Sequence, residues 1–111
     1  MNKKRIRQLA DHIEGLNHSQ FDMDRWVRTD GRTYYSSPPP VNATTQACVA
    51  GWAVILFGAQ VVWPIGWYAA KLLGLNEDQR ELFFSTVRKP TPAHVAKVLR
   101  HFADTGEIQW E

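Results

Sequence analysis

Apolar residues recur along this chain at two spacings, and each predicts its own element. Ile6, Leu9, Ala10, Ile13 and Leu16 fall on one helical face while Lys4, Arg7, Gln8, Asp11 and Glu14 fill the other, which predicts an amphipathic helix over Lys3–Leu16. Its first turn is basic where a helix start favours anions, so it should fray unless a partner holds it. The stretch Ala47–Phe57 is apolar on every side, which predicts a helix enclosed by other elements. Asn42, Thr44 or Thr45 is positioned to cap it, and Gly58 to stop it in the left-handed conformation. A further helix over Ile65–Leu73 ends at Gly74. Asn76-Glu77-Asp78-Gln79 is a capping-box pattern opening another through Phe84. Thr91-Pro92 then opens a last helix with the stripe Val95, Val98, Leu99 and Phe102, closed by Gly106.

The second spacing lies between the first two helices. Phe21, Met23 and Trp26 supply core anchors through an irregular turn. In the stretch from Trp26 to Tyr35, the Asp30-Gly31 pair is bracketed by β-branched and aromatic residues, which predicts a two-residue type I′ hairpin. The expected pairing sets Thr29 against Arg32, Val27 against Tyr34 and Trp26 against Tyr35. A lone hairpin is marginal in water, so it must lie on the helices or recruit Glu107–Trp110 as a further strand. Ser36 to Pro40 is a polyproline-like spacer. The expected fold is one mainly α domain over residues 1–111, a compact bundle of about five helices around a buried central helix with a small β-hairpin at about 26–35.

All formal charge lies in the flanks, because Thr33 to Ala70 holds no Asp, Glu, Lys, Arg or His. The uncharged stretch Ala47–Ala70 is long enough to span a membrane, but Gly58, Gln60, Pro64 and Gly66 interrupt it, and Pro64 would strand a carbonyl where lipid offers no donor. No membrane role is therefore expected. With Cys48 alone an intramolecular disulfide is excluded, and Met1–Arg7 runs into an amphipathic pattern rather than an apolar signal core, so a reducing cytoplasm is the expected compartment. The net charge of +2 is too small to demand a polyanion.

No pattern of catalytic chemistry emerges. Cys48 near a helix start could be a thiolate, but its neighbours make it a small buried packing residue. His12, His18, His94 and His101 show no metal-ligand spacing, and neither metal nor other cofactor is expected. Ala70 and Gly74 have the spacing of a helix-turn-helix corner, yet the second helix would offer Glu77, Asp78 and Glu81 to DNA. The strongest functional signal is the hairpin, where Trp26, Tyr34 and Tyr35 alternate with Arg25, Arg28 and Arg32 in the composition of interface hot spots. These six are the expected partner-binding residues, facing an acidic partner protein. The rival is a small nucleic-acid-binding regulator using Lys3, Lys4, Arg5 and Arg7 with Arg88 and Lys89.

The string Ala47-Cys48-Val49-Ala50-Gly51-Trp52-Ala53, the Leu73-Gly74-Leu75 turn followed by Leu82-Phe83, and the closing Thr105-Gly106-Glu107-Ile108-Gln109-Trp110 resemble a family of small uncharacterised proteins of phages and bacterial genomes. That family carries a Cys-Gly-Thr triplet before the Cys-x-Ala-Gly-Trp-Ala motif, where this chain reads Ala43-Thr44-Thr45. The resemblance implies a phage or prophage origin. Small phage proteins of this size often act by binding and blocking host machinery, including CRISPR defence complexes, so from class and size the expected function is a non-enzymatic protein-binding inhibitor acting in the host cytoplasm.

Overall fold

The computed structural model describes residues 1–24, 26–34, 40–58, 64–84 and 89–110. Its elements follow the two spacings: α1 (Lys3–Glu14), β1 (Val27–Thr29), β2 (Arg32–Thr33), β3 (Gln46–Ala47), α2 (Val49–Phe57), α3 (Ile65–Leu73), α4 (Glu77–Phe84) and α5 (Pro92–Thr105), with a 3-10 turn at His18–Gln20. Among the described residues, five helices and one three-stranded sheet therefore make the mainly α fold that the hydrophobic pattern predicts. No helix among the described residues is long and apolar enough to cross a membrane.

α1 and α5 lie antiparallel and pack most extensively of all element pairs, because each carries a complete apolar stripe. Ile6, Leu9, Ile13, Val95, Leu99 and Phe102 are buried between them and their neighbours. At the rim of the seam Arg100 reaches Asp11 and both carboxylate oxygens of Glu14, and Arg7 reaches Asp104. α2 fills the centre, with Val49 through Val54 buried, while its last turn emerges at Leu56, which is 37% exposed. Trp52 is the largest side chain at the middle, and its indole N–H donates to the Gln20 carbonyl at 3.0 Å.

Several ends differ from expectation. The start of α1 is tied down: Asn2 caps it by accepting from the Arg5 N–H at 3.1 Å, the Asn2 N–H donates to the Leu73 carbonyl at 2.8 Å, and the Arg5 guanidinium donates to the Leu72 carbonyl at 2.9 Å. The cap of α2 is Cys48, whose Sγ accepts from the Gly51 N–H at 3.4 Å, and not Asn42, Thr44 or Thr45. Gly58 ends that helix in an extended conformation (φ −93°, ψ 151°) instead of a left-handed one. The other ends follow the pattern: Gly74 and Gly106 are left-handed, Thr91 caps α5, and Asn76 and Gln79 exchange reciprocal bonds at the start of α4.

The sheet runs in the order β2-β1-β3 and is antiparallel throughout. Its third strand is Gln46–Ala47, not Glu107–Trp110. The terminal segment has no strand pairing and serves as a strap: the Trp110 indole N–H donates to the Leu82 carbonyl at 2.8 Å, its ring meets Phe83 edge-on, and the His94 ring N–H reaches the Trp110 carbonyl at 2.6 Å. An aromatic ring burying itself between α4 and α5 outweighs what two more ladder hydrogen bonds would contribute.

Candidate functional site

The β1–β2 ribbon forms at the expected place because its turn residues supply what the turn demands. Asp30 (φ 53°) and Gly31 (φ 80°) both take positive φ, as a two-residue type I′ turn requires. Thr29 stands opposite Arg32, and the Tyr34 N–H donates to the Val27 carbonyl at 3.0 Å, so the expected register holds over the described residues.

The ribbon is fastened to the helices by close backbone approach. A Cβ placed on Gly51 of α2 would lie 1.7 Å from the Trp26 carbonyl oxygen, so only glycine lets the ribbon's first residue sit directly on the central helix. Val27, the next residue, is wholly buried. At the tip, the polar residues expected to cap α2 form a latch instead. Thr44 Oγ1 accepts from the Asp30 N–H at 2.8 Å, the Asn42 side-chain amide donates to Asp30 Oδ2 at 3.2 Å, and Thr44 Oγ1 also lies 2.9 Å from Asp30 Oδ1. Beneath them the buried hydroxyls of Thr29 and Thr45 share a hydrogen bond at 2.9 Å, and Thr45 Oγ1 accepts from the Asn42 N–H at 2.9 Å.

The expected partner-binding residues separate into three groups. Trp26 is half-buried: its ring reaches over Gly66 of α3 and beside Phe84 of α4, walling a groove of about 160 Å³ that Arg80 also lines, so it anchors the ribbon more than it presents an aromatic surface. Arg28, Arg32 and Tyr34 form the outward part. Arg32 is exposed and lies over the Tyr34 ring, 5.6 Å from its centroid, while Arg28 is half-buried. Arg25 and Tyr35 lie outside the described residues. Directly paired strand residues share a face, so Arg32 and Tyr34 lie on the Val27–Thr29 face and Arg28 on the opposite one with Thr33. The two arginines therefore flank the ribbon on opposite sides.

Among the described residues, Arg28 and Arg32 make no ion pair and no side-chain hydrogen bond. Every other described arginine is engaged: Arg5 by the Leu72 carbonyl, Arg7 by Asp104, Arg80 by Glu77 and Glu81, and Arg100 by Asp11 and Glu14. Lys89, proposed for phosphate contact in the rival reading, meets Asp24 at 3.4 Å; Lys3 and Lys4 are exposed, and Arg88 lies outside the described residues.

The remaining candidates have local explanations. Cys48 is buried, and burial pushes its thiol up to about 11, which removes the thiolate at neutral pH. His12 packs on Trp52 with centroids 4.8 Å apart; its Nε2 is buried with no partner, and burial holds the imidazole below its ordinary value. Among the described residues, no three His, Cys, Asp or Glu side chains gather as a metal site would need. At the α3–α4 corner, Arg80 lies between the Trp26 groove and a cavity of about 390 Å³ lined by Trp67, Ala70, Lys71 and Leu75. Trp67 is 46% exposed there under the Lys71 ammonium, 4.1 Å from the ring centroid, a surface that the helix pattern does not single out.

No family model, no curated protein and no solved structure matches this chain.

Proposed function

We propose that this chain is a non-enzymatic protein-binding module that uses the tip and flanks of its β1–β2 ribbon to capture an acidic surface on a partner protein. The observation that carries the reading is the contrast among the arginines. A guanidinium with neither an ion pair nor a side-chain hydrogen bond among the described residues, in a chain whose other described arginines each meet a carboxylate or a backbone carbonyl, is available for bidentate pairing with an outside carboxylate. Tyr34 beneath Arg32 adds rigid contact area at low entropic cost, and the Asn42–Thr45 latch holds the ribbon in place before the partner arrives, which lowers the cost of binding. Arg25 and Tyr35, expected in the same set from the sequence, lie outside the described residues.

The partner we propose is a component of host machinery, bound and blocked by a phage- or prophage-encoded inhibitor such as an anti-CRISPR protein. The sequence resemblance supports that origin. The engagement of Arg5, Arg7 and Lys89 within the fold favours protein capture over nucleic-acid binding through the same residues.

The test is affinity capture from bacterial host lysate with mass spectrometry, comparing the wild-type chain with an Arg28→Glu/Arg32→Glu variant. The wild type should retain a partner that the variant loses, while the two unfold at nearly the same temperature, since among the described residues neither arginine has an internal ion pair to break. Retention of the same partner by the variant would show that the ribbon is not the interface.

A further inference from the structure

Resting on that reading, we infer that the ribbon takes its partner as an added strand: an extended acidic segment pairs with the open edge of β2, with neighbouring carboxylates reaching Arg28 on one face and Arg32 on the other. The sheet has two edges, and among the described residues only one is closed. β3 is covered by Phe21, which bridges to Ala47 in parallel, and by the Asp22 N–H, which donates to the Ala47 carbonyl at 3.1 Å. β2 is the other edge. Because the Tyr34 N–H points at Val27, Arg32 and Tyr34 turn their backbone groups toward β1, and Thr33 between them turns its N–H and carbonyl outward. Among the described residues nothing pairs with these two groups.

An open edge of this kind is the standard place for strand addition, where main-chain bonds supply affinity and the flanking side chains supply selectivity. The flanking side chains here are cationic and lie on both faces. Successive residues of an added strand point to opposite faces, so the match is a pair of adjacent carboxylates within an extended, β-favouring segment, one for each arginine. A flat acidic surface meeting only one face would leave one guanidinium idle. The ribbon offers few backbone groups, so the charge-assisted bonds must carry a large part of the affinity.

The probe is the blocked peptide Thr-Val-Glu-Glu-Val-Thr, titrated into the full ¹⁵N-labelled chain and followed by the Thr33 amide signal. The Thr33 resonance should move downfield and its hydrogen exchange should slow. A Gln-Gln version of the peptide, and the Arg28→Glu/Arg32→Glu chain with the original peptide, should each bind about tenfold more weakly or worse. Methylating the backbone nitrogen of either glutamate in turn should abolish the Thr33 shift for one of the two positions only, because neighbouring residues turn their N–H groups to opposite sides. Binding that depends on charge but is indifferent to both methylations overturns strand addition while leaving ribbon capture standing. A Thr33 signal that does not move at saturating peptide, or that moves only with an oligothymidylate control, also overturns it. Loss of ribbon capture itself is read separately, from the lysate partner being kept by the charge-reversed chain.

Discussion

The helical body and the β-ribbon are held together by different physics. In the body, α1 and α5 bury complete apolar stripes, α2 is buried for most of its length, and the rim charges neutralise one another through Arg7–Asp104 and Arg100 with Asp11 and Glu14. The ribbon buries Val27 and Thr29, sits on the body through the Trp26 backbone against Gly51 and the Trp26 ring over Gly66, is latched by a cluster of short polar side chains, and leaves Arg28 and Arg32 without a carboxylate among the described residues. One region spends its chemistry on cohesion; the other keeps part of its chemistry unspent. A surface meant for a partner needs unmet groups on a rigid frame, and the polar latch supplies rigidity without covering the groups.

The comparison is sharpened first at the body's centre. Phe102, wholly buried and edge-on to Phe83 at 5.1 Å, should cost about 3–5 kcal/mol when replaced by alanine, and the loss should appear in urea unfolding as a global destabilisation with partner capture intact at low temperature. Next comes the seam between the regions. Gly51→Ala forces a methyl into the Trp26 carbonyl, and relieving that overlap by lifting the ribbon should cost about 3 kcal/mol, at the upper end of overpacking. Hydrogen exchange should then rise in residues 26–34 more than in α1 or α5.

The latch gives a smaller effect confined to one side. Thr45→Val removes the acceptor for the Asn42 N–H and the partner of the buried Thr29 hydroxyl, which should cost about 1–3 kcal/mol. Exchange at the ribbon amides should accelerate while the α1 and α5 amides stay protected. If protection falls evenly across the chain instead, the two regions are one cooperative unit and the contrast drawn above fails.

The smallest effect is on pH. Burial against Trp52 lowers the His12 value below its ordinary 6.5, so the unfolded chain binds a proton before the folded one does. Stability should be level above about pH 6.5 and decline below it until the folded imidazole also titrates. A His12→Gln variant should flatten that decline in chemical denaturation series taken at successive pH values. Glu14 acts in a separate, lower window: Arg100 holds its carboxyl below the ordinary 4.5, so its contribution is present above that value and lost as pH falls further.

The hairpin turn could be read from the chain because only residues tolerant of positive φ, such as the Asp30-Gly31 pair, make a two-residue turn inexpensive. β3 could not. Gln46–Ala47 is a two-residue strand at the mouth of an apolar helix, without alternation of its own, and it is extended because β1 and Phe21 lie on either side of it. Asn42, Thr44 and Thr45 carried a true capping signal, but the hydrogen-bond partners they found were in the hairpin, twelve to sixteen residues earlier, rather than in the helix that follows them. Trp26 was expected both as a core anchor and as one of the partner-binding residues, and with Gly66 and Phe84 beneath its ring the anchoring part is what the packing shows.

The helices, most of their stops and the turn of the ribbon were determined by the sequence, because periodic burial, capping residues and positive φ act over a few residues and leave a local trace. Tertiary structure alone decided which polar groups were satisfied: that Arg100 and Arg7 found carboxylates on a distant helix, that Thr44 and Thr45 closed on the ribbon, and that Arg28, Arg32 and the Thr33 backbone were left open among the described residues. Hydrogen bonds and ion pairs join groups far apart in the chain, and whether a donor meets its acceptor depends on where the packed elements bring them.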